Sequence, residues 1–184
     1  MRRRLEGMLL VTALVIAGVV VLAPRGGAVS ASACTSGQLR VANGPYAGGA
    51  SQEEAHTLAI TNVSPGACAL EGYISIRPVD PSGRTMKLPV SHHPSGSYAF
   101  STRPPRPVVV AAHGTADVLF VQMACVEGYL DQARVAAITL PVAGSPVRWL
   151  RLATPLARCR GAYGASEDMI AVTPIEPSVR ATEL

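Results

Sequence analysis

The feature that most limits how this chain can fold is its set of four cysteines, Cys34, Cys68, Cys125 and Cys159, separated by 34, 57 and 34 residues. All four follow an N-terminal stretch that reads as an export signal. Arg2, Arg3 and Arg4 precede an unbroken apolar run from Met8 to Ala23, and small residues then close on Ala31-Ser32-Ala33. An even cysteine count in an exported chain reads as two disulfides, and no C-x-x-C spacing points to a metal or redox site instead. Three pairings are open. Cys34 with Cys68 and Cys125 with Cys159 is the expected one, each bridge closing a loop of about 35 residues worth roughly 3.8 kcal/mol in the chain-entropy model.

As a helix the apolar run would extend about 24 Å, short of a bilayer core of about 30 Å. Residues 1–33 are therefore expected to be a signal peptide cut before Cys34. The alternatives are an uncut, N-terminal apolar helix that anchors the chain by residues 8–23, its arginines on the cytoplasmic side, and lipidation of Cys34. Lipidation would strand one of the remaining three thiols. Loss of Met1 to Ala33 takes away Arg2, Arg3, Arg4, Arg25 and Glu6, which leaves 12 basic and 11 acidic side chains and a net charge of +1. No basic run survives, so a nucleic-acid partner is not expected.

Beyond the leader the pattern is that of short strands. Gln38 to Ala42 reads as a strand and Asn43-Gly44-Pro45 as the start of a Gly-rich loop. His56, Leu58, Ile60 and Asn62 alternate with Thr57, Ala59, Thr61 and Val63, a period-two strand closed by Ser64-Pro65-Gly66. Leu70 to Arg77 reads as a strand, followed by a type I turn at Asp80-Pro81-Ser82-Gly83 and a return through Arg84 to Leu88. Prolines 89, 94, 104, 105 and 107 spell a long loop. Val108 to Ala112 and Thr115 to Ala124 read as a hairpin about His113-Gly114, with Val118 to Val121 apolar on both faces and therefore central. Val126 to Gln132 reads as a loop or helical turn, Arg134 to Leu140 and Val147 to Leu152 as strands with Trp149 a core anchor. Met169 to Thr173 reads as a closing strand, and the tail from Ile175 to Leu184 as frayed. About eight strands and no amphipathic helix imply an all-β, immunoglobulin-like antiparallel β-sandwich over residues 34–177, with a flexible tail at 178–184.

Leu58-Ala59-Ile60-Thr61-Asn62 followed by Cys68-Ala69-Leu70-Glu71-Gly72-Tyr73, the D-x-x-G turn at Asp80 to Gly83, the turn at His113-Gly114, and the positions of Cys125 and Cys159 resemble domain of unknown function 4232, an exported four-cysteine family of actinobacterial cell envelopes. The resemblance runs from about Cys34 to Pro177. It implies a β-sandwich on a lipoprotein or signal-peptide protein and brings no established activity. Thr61, Asn62, Leu70, Gly72 and Tyr73 are its signature, read as structural: Asn62 as turn chemistry at a strand end and Gly72 as a close backbone approach.

No catalytic residue is singled out. G-x-S-x-G and S-x-x-K are absent, oxidised cysteines offer no thiolate, and Glu53-Glu54, Glu71, Asp80 and Glu167-Asp168 have no interpretable spacing. No cofactor is expected. His92, His93, Arg103 and Arg106 mark the proline-rich loop as a candidate binding loop, and Arg103 to Pro107 includes a P-x-x-P pattern. The expected function is a non-enzymatic binding module, secreted or held at the cell envelope, for an envelope protein, a glycan or a lipid. The alternatives are a cryptic envelope hydrolase and a weak metal module using His92 and His93.

Overall fold

The computed structural model describes residues 31–48, 53–92, 104–125, 128–160 and 169–178. The expected leader helix, residues 93–103 of the proline-rich loop and the end of the tail from 179 on lie outside the described residues. Among the described residues no helix is long and apolar enough to cross a membrane.

The chain is all-β. Eleven strands are formed by the described residues: β1 (Leu39–Gly48), β2 (Glu53–Asn62), β3 (Cys68–Leu70), β4 (Ser75–Val79), β5 (Val90–Ser91), β6 (Val108–Val110), β7 (Thr115–Met123), β8 (Tyr129–Thr139), β9 (Arg148–Cys159), β10 (Ile170–Val172) and β11 (Glu176–Pro177). The main sheet has the order β1-β2-β7-β10-β5, with β11 following β10 along the same edge of β7. β10 and β5 run parallel; the other ladders are antiparallel. A second sheet has the order β4-β8-β9, and β3 pairs with β6 alone. Alternation fixes what points inward. Leu58 and Ile60 of β2, Val118 and Phe120 of β7, Ile138 of β8 and Leu156 of β9 share one hydrophobic cluster to which all three sheets contribute. Val121 of the central strand β7 is also buried, on the opposite face, against Ala55 and Ala171.

Both bridges have the expected pairing, Cys34–Cys68 and Cys125–Cys159, and no cysteine is free. The first ties the segment before β1 to β3. The second ties the end of β7 to the end of β9, and thus the main sheet to the three-stranded sheet.

Several sequence expectations are corrected. Trp149 is no core anchor: it is 67% exposed, because the inward phase of β9 belongs to Leu150 and Leu152 and places Trp149 with Arg151 on the outward face. Leu70 to Arg77 is two strands in different sheets, broken at Gly72, whose φ of +108° is costly for any residue with a Cβ. The turn at His113-Gly114 forms, with His113 at φ 58°, yet it connects no hairpin; β6 pairs with β3 and β7 with β2 and β10, so the chain changes sheets there. The turn at Asp80 also forms, but its return strand is reduced to one bridge, Val79 to Thr85: Met86 N–H donates to Pro78 O, and Pro78 has no N–H to extend the ladder on that edge. Asn43-Gly44-Pro45 is not a loop: β1 continues through it with register shifts that absorb the glycine and proline. Tyr129 to Gln132 is strand, not loop or helical turn, since β8 pairs with the long β9 as far as Cys159. The start of the tail is not frayed: Ile175 is buried at 2% exposure, its N–H donates to Gly72 O at 2.9 Å, and β11 pairs with β7.

Candidate functional site

β9 is the strand around which the functional geometry is organised. One edge pairs with β8; the other faces the main sheet and is stitched to it by side chains. Arg148 Nη2 donates to Ser36 O at 2.8 Å. The Asn43 amide donates to Arg151 O at 2.8 Å and accepts from Ala153 N–H at 3.1 Å, so that one side chain serves as a strand neighbour would. Gln122 does the same at the far end, accepting from Ala157 N–H at 2.9 Å and donating to Ala157 O, just before the Cys125–Cys159 bridge. Backbone groups of an edge strand must find partners, and two amides supply them here.

Between these stitches, at Thr154 and Pro155, the seam opens into two small clefts. One, of about 60 Å³, is lined by Tyr46, His56, Thr57, Phe120 and Thr154. The other, of about 100 Å³, is lined by Glu54, Gln122, Tyr129, Gln132 and Pro155 among others. His56 is 9% exposed, with its ring centroid 5.3 Å from both Tyr46 and Phe120. Its Nε2 has no hydrogen-bond partner and lies 3.9 Å from Glu54 Oε2. Burial pushes the imidazole below its ordinary pKa, and the Glu54 carboxylate pulls the other way. The pair is beyond hydrogen-bond distance, which is looser than a base and its orienting carboxylate require.

The outward face of the three-stranded sheet is of another kind. The register sets Arg77, Ala137 and Trp149 in one row and Val79, Val135 and Arg151 in the next, while Ser75 stands opposite Thr139. Trp149 and both arginines are exposed. Neither guanidinium forms an ion pair among the described residues, where the arginine–carboxylate pairs are Arg84–Asp80 and Arg158–Asp131.

The signature residues lie at the end of β2, in β3 and just after β3. Asn62 is fully buried; its amide donates to Gly66 O (2.7 Å), Ala111 O (3.1 Å) and Val110 O (3.2 Å), and its oxygen accepts from the Ser64 N–H and hydroxyl. Thr61 Oγ1 meets Thr115 Oγ1 at 3.3 Å across β2 and β7. Leu70 is core, and Tyr73 stacks on His92 with ring centroids 4.0 Å apart. His93 and Arg103 lie outside the described residues, and no group of three or more His, Cys, Asp or Glu among the described residues is arranged to hold a metal ion. Arg106 is exposed and lines a groove of about 440 Å³ with Pro104, Val108 and the Pro174 to Pro177 segment.

Sequence reasoning missed Asn43, Gln122, His56 and the Trp149 face. Trp149 had a local signal in sharing its phase with Arg151, and His56 in sharing its phase with Leu58 and Ile60; Asn43 and Gln122 had none. No protein-family model matches the chain, and no curated protein or solved structure shows significant similarity to it. The resemblance to domain of unknown function 4232 therefore stands on its quoted segments alone.

Proposed function

We propose that this chain is an exported cell-envelope domain that docks onto another envelope component through the outward face of β4, β8 and β9 and carries no chemistry of its own. The accompanying fold reading is an immunoglobulin-like β-sandwich behind an N-terminal apolar signal, in a family resembling domain of unknown function 4232. Inward residues of the main and three-stranded sheets meeting in one cluster support the sandwich. Two disulfides that take up every cysteine support an oxidising compartment.

The observation that carries the docking reading is Trp149, two thirds exposed near Arg77 and Arg151, which form no ion pair among the described residues, on a strand stitched along its other edge. A tryptophan side chain buries about 200 Å² when enclosed, so a partner that covers the exposed part gains about 3 kcal/mol. Stitching holds the backbone of β9 in place before the partner arrives, which lowers the ordering cost of binding.

Hydrogen exchange on the intact exported chain, with and without a solubilised envelope fraction, tests this. Slower exchange in β4 and β9 of the wild type, lost in Trp149→Ala, is expected. Protection confined to the proline-rich loop at Pro89 to Pro107, or none anywhere, contradicts it.

A further inference from the structure

The chemistry of the outward face narrows the partner further. In the outward-facing rows of β4, β8 and β9, Ser75–Thr139, Arg77–Ala137–Trp149 and Val79–Val135–Arg151, no residue is acidic, two are arginine and one is tryptophan. Of the carboxylates near it in sequence, Asp80 pairs with Arg84 at 3.3 Å and Asp131 with Arg158 at 2.8 Å, while Glu71 precedes β4. This face is thus locally cationic. Arg77 and Trp149 are separated by two strand spacings, so their Cα atoms are about 10 Å apart, while Arg151 stands about 7 Å from Trp149 along the strand. Arg77 and Arg151 therefore stand on two sides of Trp149, with Cα atoms about 12 Å from each other on the diagonal.

We infer that the partner is an anionic glycan, a polysaccharide bearing carboxylates or phosphates; this rests on the docking reading above. Sugar rings lie on the Trp149 indole, and the planar forks of Arg77 and Arg151 each take one anionic group, a geometry that a lysine ammonium does not offer. A bilayer surface is the poorer fit, because close to Trp149 only Val147, at 43%, adds an exposed large apolar side chain, too little to enter the acyl boundary. A protein partner would require an apolar interface centre broader than one aromatic ring. Exposed arginine–carboxylate pairs are individually weak and salt-screened, so each site binds modestly and affinity rises with polymer length.

Trp149 is the only tryptophan of the chain, so its emission reports on this face directly. The test titrates the intact exported chain with polygalacturonate, neutral dextran, and phosphatidylcholine vesicles with and without phosphatidylglycerol, following emission wavelength and acrylamide quenching. Expected is a saturable blue shift and shielding by polygalacturonate alone, weakened about tenfold by added salt and about tenfold in the double variant Arg77→Gln/Arg151→Gln. Both substitutions are at exposed positions, and unchanged circular dichroism confirms that the variant folds. Equal shielding by dextran, or shielding unaffected by the double variant, overturns the anionic part and leaves docking intact. Shielding by anionic vesicles without polygalacturonate overturns the glycan in favour of a lipid surface. No shielding by any probe overturns the glycan, and hydrogen exchange with the envelope fraction then decides docking separately: protection of β4 and β9 preserves it, and its absence ends both.

Discussion

Gln122 and Ala157 exchange two hydrogen bonds, the glutamine oxygen accepting from the alanine N–H at 2.9 Å and its NH2 donating to the alanine carbonyl. A side chain of β7 thereby completes the backbone pairing of β9. Truncation to Gln122→Ala leaves both groups buried without a partner and is expected to cost about 3 kcal/mol. Asn43→Ala, at the more exposed stitch, is expected to cost about 1 kcal/mol. Urea denaturation measures both, and losses of equal size contradict the difference in burial on which the ranking rests.

Asn62 closes the turn after β2 by holding three carbonyls with one amide. Asn62→Ala is expected to destabilise the fold by about 2 to 3 kcal/mol. Asn62→Asp keeps the acceptances from Ser64 but sets a buried carboxylate against carbonyl oxygens, so its loss in urea titration is expected to be larger near neutral pH than in mild acid, where the carboxyl is protonated.

The seam has a pH dependence of definite sign. Because burial lowers the folded-state pKa of His56, the unfolded chain binds that proton more tightly. His56 therefore supports stability above about pH 6.5, and the support is lost as the pH falls through the folded value. Asp80, held down to about 2 by the Ser82 hydroxyl and then by the Arg84 N–H, gives a second limb, present above about pH 4 and lost toward pH 2. Thermal midpoints followed against pH are expected to lose the first limb in His56→Gln and the second in Asp80→Asn. Glu54→Gln removes the charge that favours His56 protonation and is expected to deepen the first limb. An unchanged profile in His56→Gln contradicts the assignment.

Ser32 and Cys34 together satisfy both backbone groups of Ala69: Ala69 N–H donates to Ser32 O at 2.8 Å and Cys34 N–H donates to Ala69 O at 2.9 Å. A chain that begins at Cys34 keeps the second bond and loses the first. It is expected to be about 1 kcal/mol less stable than one beginning at Ala31, lowering the melting midpoint by about 2 to 4 °C. Identical midpoints contradict a contribution from this pairing.

What was legible in the sequence is what depends on short range or on counting. Four cysteines behind an apolar leader fix two bridges, and the period-two run from His56 to Val63 announces β2, inward phase included. The long-range partners were not legible. Asn43 and Gln122 are ordinary amides until β9 is beside them, and Asn43-Gly44-Pro45 has the composition of a loop although β1 runs through it by bulging. Trp149 was misplaced by reasoning from residue type, where strand phase was the better guide: Leu150 and Leu152 point inward, so Trp149 and Arg151 do not. His56 shows its inward phase in the sequence, but its neighbours Tyr46 and Phe120 come from β1 and β7.

The most direct test of the account is oxidative footprinting of Trp149 on intact cells that export the chain, compared with the purified domain in buffer. Docking through this face predicts that Trp149 is oxidised severalfold more slowly on the cell, while Tyr46, exposed on β1 of the main sheet, is modified at the same rate in both. Equal oxidation of Trp149 on the cell and in buffer contradicts it.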